Sequence, residues 1–109
     1  MTAEDDAREM SDERQFYVYI LASAPYGTLY VGVTSDLVRR IWQHRENVVE
    51  SFTKLYGVHR LVYFEVHATA EATIRREKRL KHWPRDWKIN LIERENLKWD
   101  DLSESIASP

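Results

Sequence analysis

The sequence predicts an α+β fold, a small three-stranded, antiparallel-centred sheet flanked by helices. Three observations carry this expectation. Runs rich in aromatic and β-branched residues occur at 16–21, 29–33 and 61–66. Segments with apolar residues at helical spacing follow the second and third runs. The resulting order, β-β-α-β-α-α, buries its apolar faces by laying helices on a sheet.

Each element has a local reason. Phe16-Tyr17-Val18-Tyr19-Ile20-Leu21 is the first strand, and Pro25-Tyr26-Gly27-Thr28 supplies turn chemistry after it. Leu29-Tyr30-Val31-Gly32-Val33 returns as the second strand, so the pair is expected to form an antiparallel hairpin. Ser35 or Asp36 caps a helix whose Leu37, Val38, Ile41 and Trp42 form one apolar face. Residues 47–58, which include Gly57, read as irregular. Leu61-Val62-Tyr63-Phe64-Glu65-Val66 is the third strand. Thr69 caps the next helix, and Glu71 suits the positive end of its dipole. That helix runs to about Trp83, where Pro84 stops it or starts the next. A helix around 85–95 buries Trp87, Ile89, Leu91 and Ile92 with less regularity, and the last ten residues read as a polar tail.

A chain of 109 residues with 43% apolar content makes one domain, expected at 15–102. Residues 1–14 are expected to be an acidic, disordered N-terminal tail, and 103–109 a C-terminal tail. No run of 18 apolar residues exists to span a membrane, and residues 1–14 lack the apolar stretch of a secretory signal. The absence of cysteine excludes a disulfide scaffold, a thiolate metal site and a cysteine nucleophile, and fits a cytoplasmic protein.

The net charge of −2 conceals an uneven distribution. Residues 1–14 carry six acids against two arginines, and residues 100–109 carry three acids and no base. Residues 15–99 hold 14 Lys and Arg against 9 Asp and Glu, a net +5. A basic core suits a polyanionic partner, because Lys and Arg neutralise phosphates and release counterions. A well-solvated surface would use the same residues.

Several side chains do not suit a plain core. Strand alternation puts Tyr19 on one face with Tyr17 and Leu21, and Tyr30 on one face with Gly32. Obvious pairing of the hairpin lets Tyr19 and Tyr30 point to the same side, where Gly32 leaves space or admits another backbone. Cross-strand aromatic packing explains the pair equally well. Arg40 and His44 are neighbours on the first helix, at the edge of its apolar stripe, where a snorkelling arginine and a satisfied histidine are the plain alternative. Arg75, Arg76, Lys78, Arg79 and Lys81 surround Glu77, which shares a stripe with Ile74 and Leu80. A carboxylate there needs a nearby arginine as ion-pair partner or a divalent cation. A lone Glu completed by water and phosphate oxygens suits Mg²⁺. Together these groups supply a water activator, a stabiliser of developing charge and a metal ligand, which phosphodiester hydrolysis requires.

Tyr17-Val18-Tyr19, with Tyr30-Val31-Gly32 after the turn, resembles the paired triplets of the GIY-YIG nucleases. Asp36-Leu37-Val38-Arg39-Arg40-Ile41-Trp42-Gln43-His44 resembles the helix that follows the second triplet, and Arg75-Arg76-Glu77-Lys78, closing with Trp83, resembles the segment that provides the metal-binding Glu. The likeness covers about residues 16–102 and is greatest to small single-domain bacterial members. It implies an endonuclease using Mg²⁺ or Mn²⁺. Tyr19 and Tyr30 would position or deprotonate the attacking water, Arg40 would hold the scissile phosphate, His44 would assist, and Glu77 would bind the metal. A tyrosine with its ordinary pKa of about 10 needs help to act as a base near neutral pH, which a metal and Arg40 would provide. Arg40, Lys54, Arg75, Arg76, Arg79 and Lys81 are the candidate nucleic-acid contacts, with DNA expected ahead of RNA and a partner protein allowed for targeting. The opening triplet begins with Tyr17 where the family name has Gly, and either Asn90 or Asn96 answers to the family's late Asn. A non-catalytic nucleic-acid binder on the same fold and a protein-interaction module are the rival readings.

Overall fold

The computed structural model describes residues 15–46 and 51–107. The acidic segment 1–14 therefore lies outside the described residues. Strand β1 (Phe16–Ala22) is central in a three-stranded sheet of order β2-β1-β3, with β2 (Leu29–Thr34) and β3 (Arg60–His67) antiparallel to it on either side. Helix α1 (Leu37–Arg45) follows β2, and α2 (Ser51–Tyr56) precedes β3. Helices α3 (Ala70–His82), α4 (Arg85–Glu95) and α5 (Ser103–Ala107) complete the domain. Among the described residues no helix is long and apolar enough to cross a membrane.

The two sheet faces bury different sets of side chains. Val18, Ile20, Ala22 and Val31 point to the face covered by Leu80 of α3 and by Leu91 and Ile92 of α4. Tyr19, Leu21 and Leu61 point to the other face, covered by Leu37 and Ile41 of α1 and Ile106 of α5. In β3, Tyr63 faces Ile20 and Leu61 faces Leu21, which leaves Val62 as the extra residue of a bulge. The Val62 carbonyl is not orphaned, because buried Asn96 donates to it from 3.0 Å.

Asp36 is the cap of α1, its carboxylate accepting from Arg39 N–H at 3.2 Å, and Thr69 caps α3 by accepting from Ala72 N–H at 3.1 Å. The buried stripe of α1 is Leu37, Ile41 and His44. Val38 and Trp42, expected in that stripe, are 49% and 56% exposed, because each lies one helical step around from the residues that meet the sheet. The stripe of α3 likewise centres on Thr73 and Leu80, with Ile74 exposed. On α4, Trp87 is exposed while Leu91 and Ile92 are buried.

A segment expected to be irregular and another expected to be a tail each contain a helix. Within 47–58, residues 51–56 form α2, which ends in a Schellman-type closure: Gly57 takes φ 63° and Val58 N–H reaches the Thr53 carbonyl at 3.0 Å. Residues 103–107, read as part of a polar tail, form α5. Asp101 accepts from Ser103 N–H at 3.0 Å at its start, Arg45 binds both Asp101 and Ser103, and Leu102 N–H donates to the Leu61 carbonyl at 2.8 Å. The hairpin turn is clamped from afar. Arg85 donates to the carbonyls of Tyr26 and Gly27, both at 2.6 Å, and the Tyr26 ring lies 5.0 Å from that of Trp99.

Candidate active site

Tyr19 sits in the middle of β1 directly opposite Gly32 of β2. A Cβ at position 32 would lie 2.5 Å from both Cζ and the hydroxyl oxygen of Tyr19. The space that glycine leaves is therefore filled by the Tyr19 phenol, which lies across the neighbouring strand. This places its hydroxyl 2.9 Å from His44 Nε2. On the opposite edge of the imidazole, His44 Nδ1 is 3.2 Å from the Thr53 hydroxyl. Tyr19, His44 and Thr53 are all buried.

Tyr30 completes the group. It faces Leu21 across the hairpin, which turns it to the same side as Tyr19. Its ring centroid is 5.4 Å from that of His44 and 6.3 Å from that of Tyr19. Tyr30 is half-buried where Tyr19 is 1% exposed, so Tyr30 is the tyrosine that reaches the surface. Arg40, also half-buried, stands one turn before His44 on α1. Two tyrosines, a histidine and an arginine are thus set by one hairpin and one helix.

Glu77 occupies a different element. It lies on α3, which packs through Leu80 against the other sheet face. Its side chain is 16% exposed, and its Oε2 is 3.0 Å from Lys81 Nζ, one turn along. The ion-pair partner is this lysine and not one of the arginines. The described residues contain no group of three or more His, Cys, Asp or Glu able to hold a metal. The donor set fits a hydrated Mg²⁺ or Mn²⁺ that takes one carboxylate and completes its shell with water and substrate oxygens, and it does not fit an all-protein cage.

The basic residues of α3 divide. Arg75, Arg79 and Lys81 are exposed, as is Lys54 on α2. Arg76 is engaged by Glu65, with Nε 2.7 Å from Oε1 and Nη2 3.3 Å from Oε2, and its guanidinium lies 5.0 Å from the Trp83 ring centroid. Glu65 also accepts from Tyr63 and bonds His67 Nε2 at 2.9 Å. Burial opposes the ionised Glu65, but hydrogen bonds from Arg76, Tyr63 and His67 outweigh it and hold the carboxyl below its ordinary range. Burial and the bond to Glu65 push the Tyr63 phenol well above its ordinary value. Sequence inspection missed this network, whose only signal is the alternation of Tyr63, Glu65 and His67 on one side of β3. It also missed Thr53, which lies in a segment without helical periodicity. Asn96 is spent on structure, donating to the carbonyls of Val62 and Asp100 and accepting from Asp100 N–H, whereas Asn90 is exposed on α4.

The fold and much of the chain have counterparts in known proteins. A family model described as the GIY-YIG catalytic domain matches residues 15–90. A UPF0213 protein of Bacillus pumilus is 33% identical over 82 residues, covering 75% of this chain and 83% of the relative. A UPF0213 protein of Clostridium perfringens is 32% identical over 90 residues, covering 83% and 96%. The solution NMR structure of a UPF0213 protein from Bacillus halodurans superposes with a TM-score of 0.51 at 28% identity, covering 87% of this chain and 99% of that one. With the paired triplets on adjacent strands and the expected antiparallel sheet between helices, this chain belongs to the GIY-YIG catalytic-domain family of nucleases, alongside the small UPF0213 proteins.

Proposed function

We propose that this protein is a divalent-metal-dependent endonuclease that hydrolyses phosphodiester bonds in nucleic acid, with DNA as its first substrate class. The observation that carries the reading is the buried Tyr19–His44 pair backing a surface-reaching Tyr30, one helical turn from Arg40. Tyr30 positions the attacking water and takes its proton as the bond to phosphorus forms. Tyr19 and His44, enclosed behind it, fix its ring. Arg40 holds the scissile phosphate through its planar fork and favours the charge that builds in the transition state. Glu77 is the residue that would hold Mg²⁺ or Mn²⁺, which when bound would polarise the phosphoryl group and stabilise the leaving oxygen. Arg75, Arg79, Lys81 and Lys54, all exposed, contact the nucleic-acid backbone. Arg76 serves them indirectly, since its guanidinium is committed to Glu65. A cysteine-free chain acting on nucleic acid belongs, on this reading, in the cytoplasm, where a partner protein could direct it.

The Glu77–Lys81 pair favours a second reading, a nucleic-acid binder without hydrolysis, because it gives the carboxylate a partner without a metal. Glu77→Ala separates the two. Under the nuclease reading it lowers cleavage at least about a hundredfold in Mg²⁺ or Mn²⁺ while binding persists or tightens, since a negative charge leaves a basic surface. Equal cleavage by a folded Glu77→Ala protein would remove the metal role. Binding by the parent protein without cleavage of branched, single-stranded or duplex substrates would establish the binder.

A further inference from the structure

We propose that Thr53 is a positioning residue of this site, which fixes the tautomer and ring plane of His44 and through it the direction of the Tyr19 hydroxyl behind Tyr30. Thr53 is fully buried, although Lys54, Leu55 and Tyr56 after it on α2 are exposed. A buried hydroxyl is costly unless bonded, and valine would fill the same volume without that cost. The hydroxyl of Thr53 lies 3.2 Å from His44 Nδ1, and the other ring nitrogen of His44 lies 2.9 Å from the Tyr19 hydroxyl.

These two contacts are coupled by the chemistry of the ring. Neutral imidazole carries one proton, so one nitrogen donates and the other accepts. When Thr53 accepts from Nδ1, Nε2 is bare and accepts a hydrogen bond from the Tyr19 hydroxyl. When Thr53 donates to Nδ1, Nε2 carries the proton and donates to the Tyr19 oxygen. The Tyr19 ring cannot adjust independently, because it is wedged against Gly32 with its hydroxyl 2.5 Å from where a Cβ would be. The role that the Thr53 hydroxyl takes at Nδ1 is therefore carried through the ring to Tyr19.

The backbone of Thr53 is held for this task. Its carbonyl accepts the Val58 N–H at 3.0 Å across the left-handed Gly57, and Val58 is wholly buried in the core beneath Tyr19 and Ile41. Nothing lies within 4 Å of a Cβ built on Gly57, so the glycine is there for its φ of 63° and not for space. The closing turn of α2 thus fastens the hydroxyl to the core.

The kinetic part of this inference rests on the nuclease reading, and the spectroscopic part does not. Long-range ¹H–¹⁵N correlation of the His44 ring in the parent protein should show one dominant tautomer. Thr53→Val should redistribute the ring proton or broaden the His44 signals, and Thr53→Ser should restore the parent pattern. Tyr19→Phe, which leaves Thr53 in place, should keep the parent tautomer. In cleavage assays Thr53→Val should lower kcat about ten- to a hundredfold with little change in KM, and Thr53→Ser should recover most of it. An unchanged His44 tautomer in folded Thr53→Val, or a tautomer that follows Tyr19→Phe instead, would overturn the proposal. Should Thr53→Val not fold, the Tyr19→Phe and Thr53→Ser spectra still decide it. A parent protein that cleaves nothing but shows the Thr53-dependent tautomer refutes the nuclease reading alone.

Discussion

A methyl group placed on Gly32 would fall 2.5 Å from both Cζ and the hydroxyl oxygen of Tyr19. The ring that it meets is 1% exposed and must shift, so Gly32→Ala is expected to cost about 1–3 kcal/mol of stability. Urea denaturation measures that cost, and loss of the Tyr19 contact shift on His44 in NMR spectra reports the displaced ring. A substitution tolerated within about 0.5 kcal/mol would mean that the ring does not need the cleft. At this scale much of the side-chain placement was legible in the sequence. Strand alternation put Tyr19 and Tyr30 on one side, and helical spacing put His44 one turn from Arg40. The depth of His44 was not legible, because an edge-of-stripe histidine and a fully buried one have the same spacing. Thr53 was invisible for another reason: its partner lies on a different element, and no local pattern records a contact between two helices.

Between elements, the network around Glu65 joins β3 to α3, the helix that carries Glu77. Its pH dependence has two signs. Glu65 is held below its ordinary value of 4.5, so its contribution is present above pH 4.5 and is lost as pH falls through the lower folded value. Tyr63 is held above its ordinary value of 10.0, so its contribution is complete below pH 10.0 and is lost as pH rises toward the folded value. Glu65→Gln should destabilise the parent by about 1–3 kcal/mol at neutral pH, with the gap closing in acid, and Tyr63→Phe should show its gap closing in alkali. Urea titrations across pH measure both, and a gap constant with pH would show that neither the ionised Glu65 nor the neutral Tyr63 contributes to stability. The three strands and helices α1, α3 and α4 were legible from apolar periodicity and caps. Helices α2 and α5 were not, since six and five residues span too few turns to display a period. The outward Trp42 and Trp87 were misjudged because size and hydrophobicity do not say which side of a helix meets the sheet.

Over the whole molecule, the net +5 of residues 15–99 sets how the protein meets a polyanion. Affinity for nucleic acid should fall steeply between low and moderate salt, by about one unit of log–log slope for each phosphate contact neutralised. Fluorescence titration at a series of salt concentrations measures this. Double replacement of the exposed Arg75 and Arg79 by Gln should reduce the slope by about two, and a salt-independent affinity would exclude a phosphate-tracking surface. The central position of β1 has a further consequence, in time. Its outer partner β3 pairs Phe16 with His67, and the hairpin turn is clamped by Arg85 from 58 and 59 residues downstream. Contacts so distant along the chain close late in folding. A chain emerging from the ribosome presents both tyrosines, His44 and Thr53 before the strand that completes the sheet behind them, and before the helix that bears Glu77. Tyr19, Tyr30, Arg40, His44 and Thr53 are therefore translated before the strand and the helix that complete their surroundings, and their final arrangement waits for the C-terminal half of the chain.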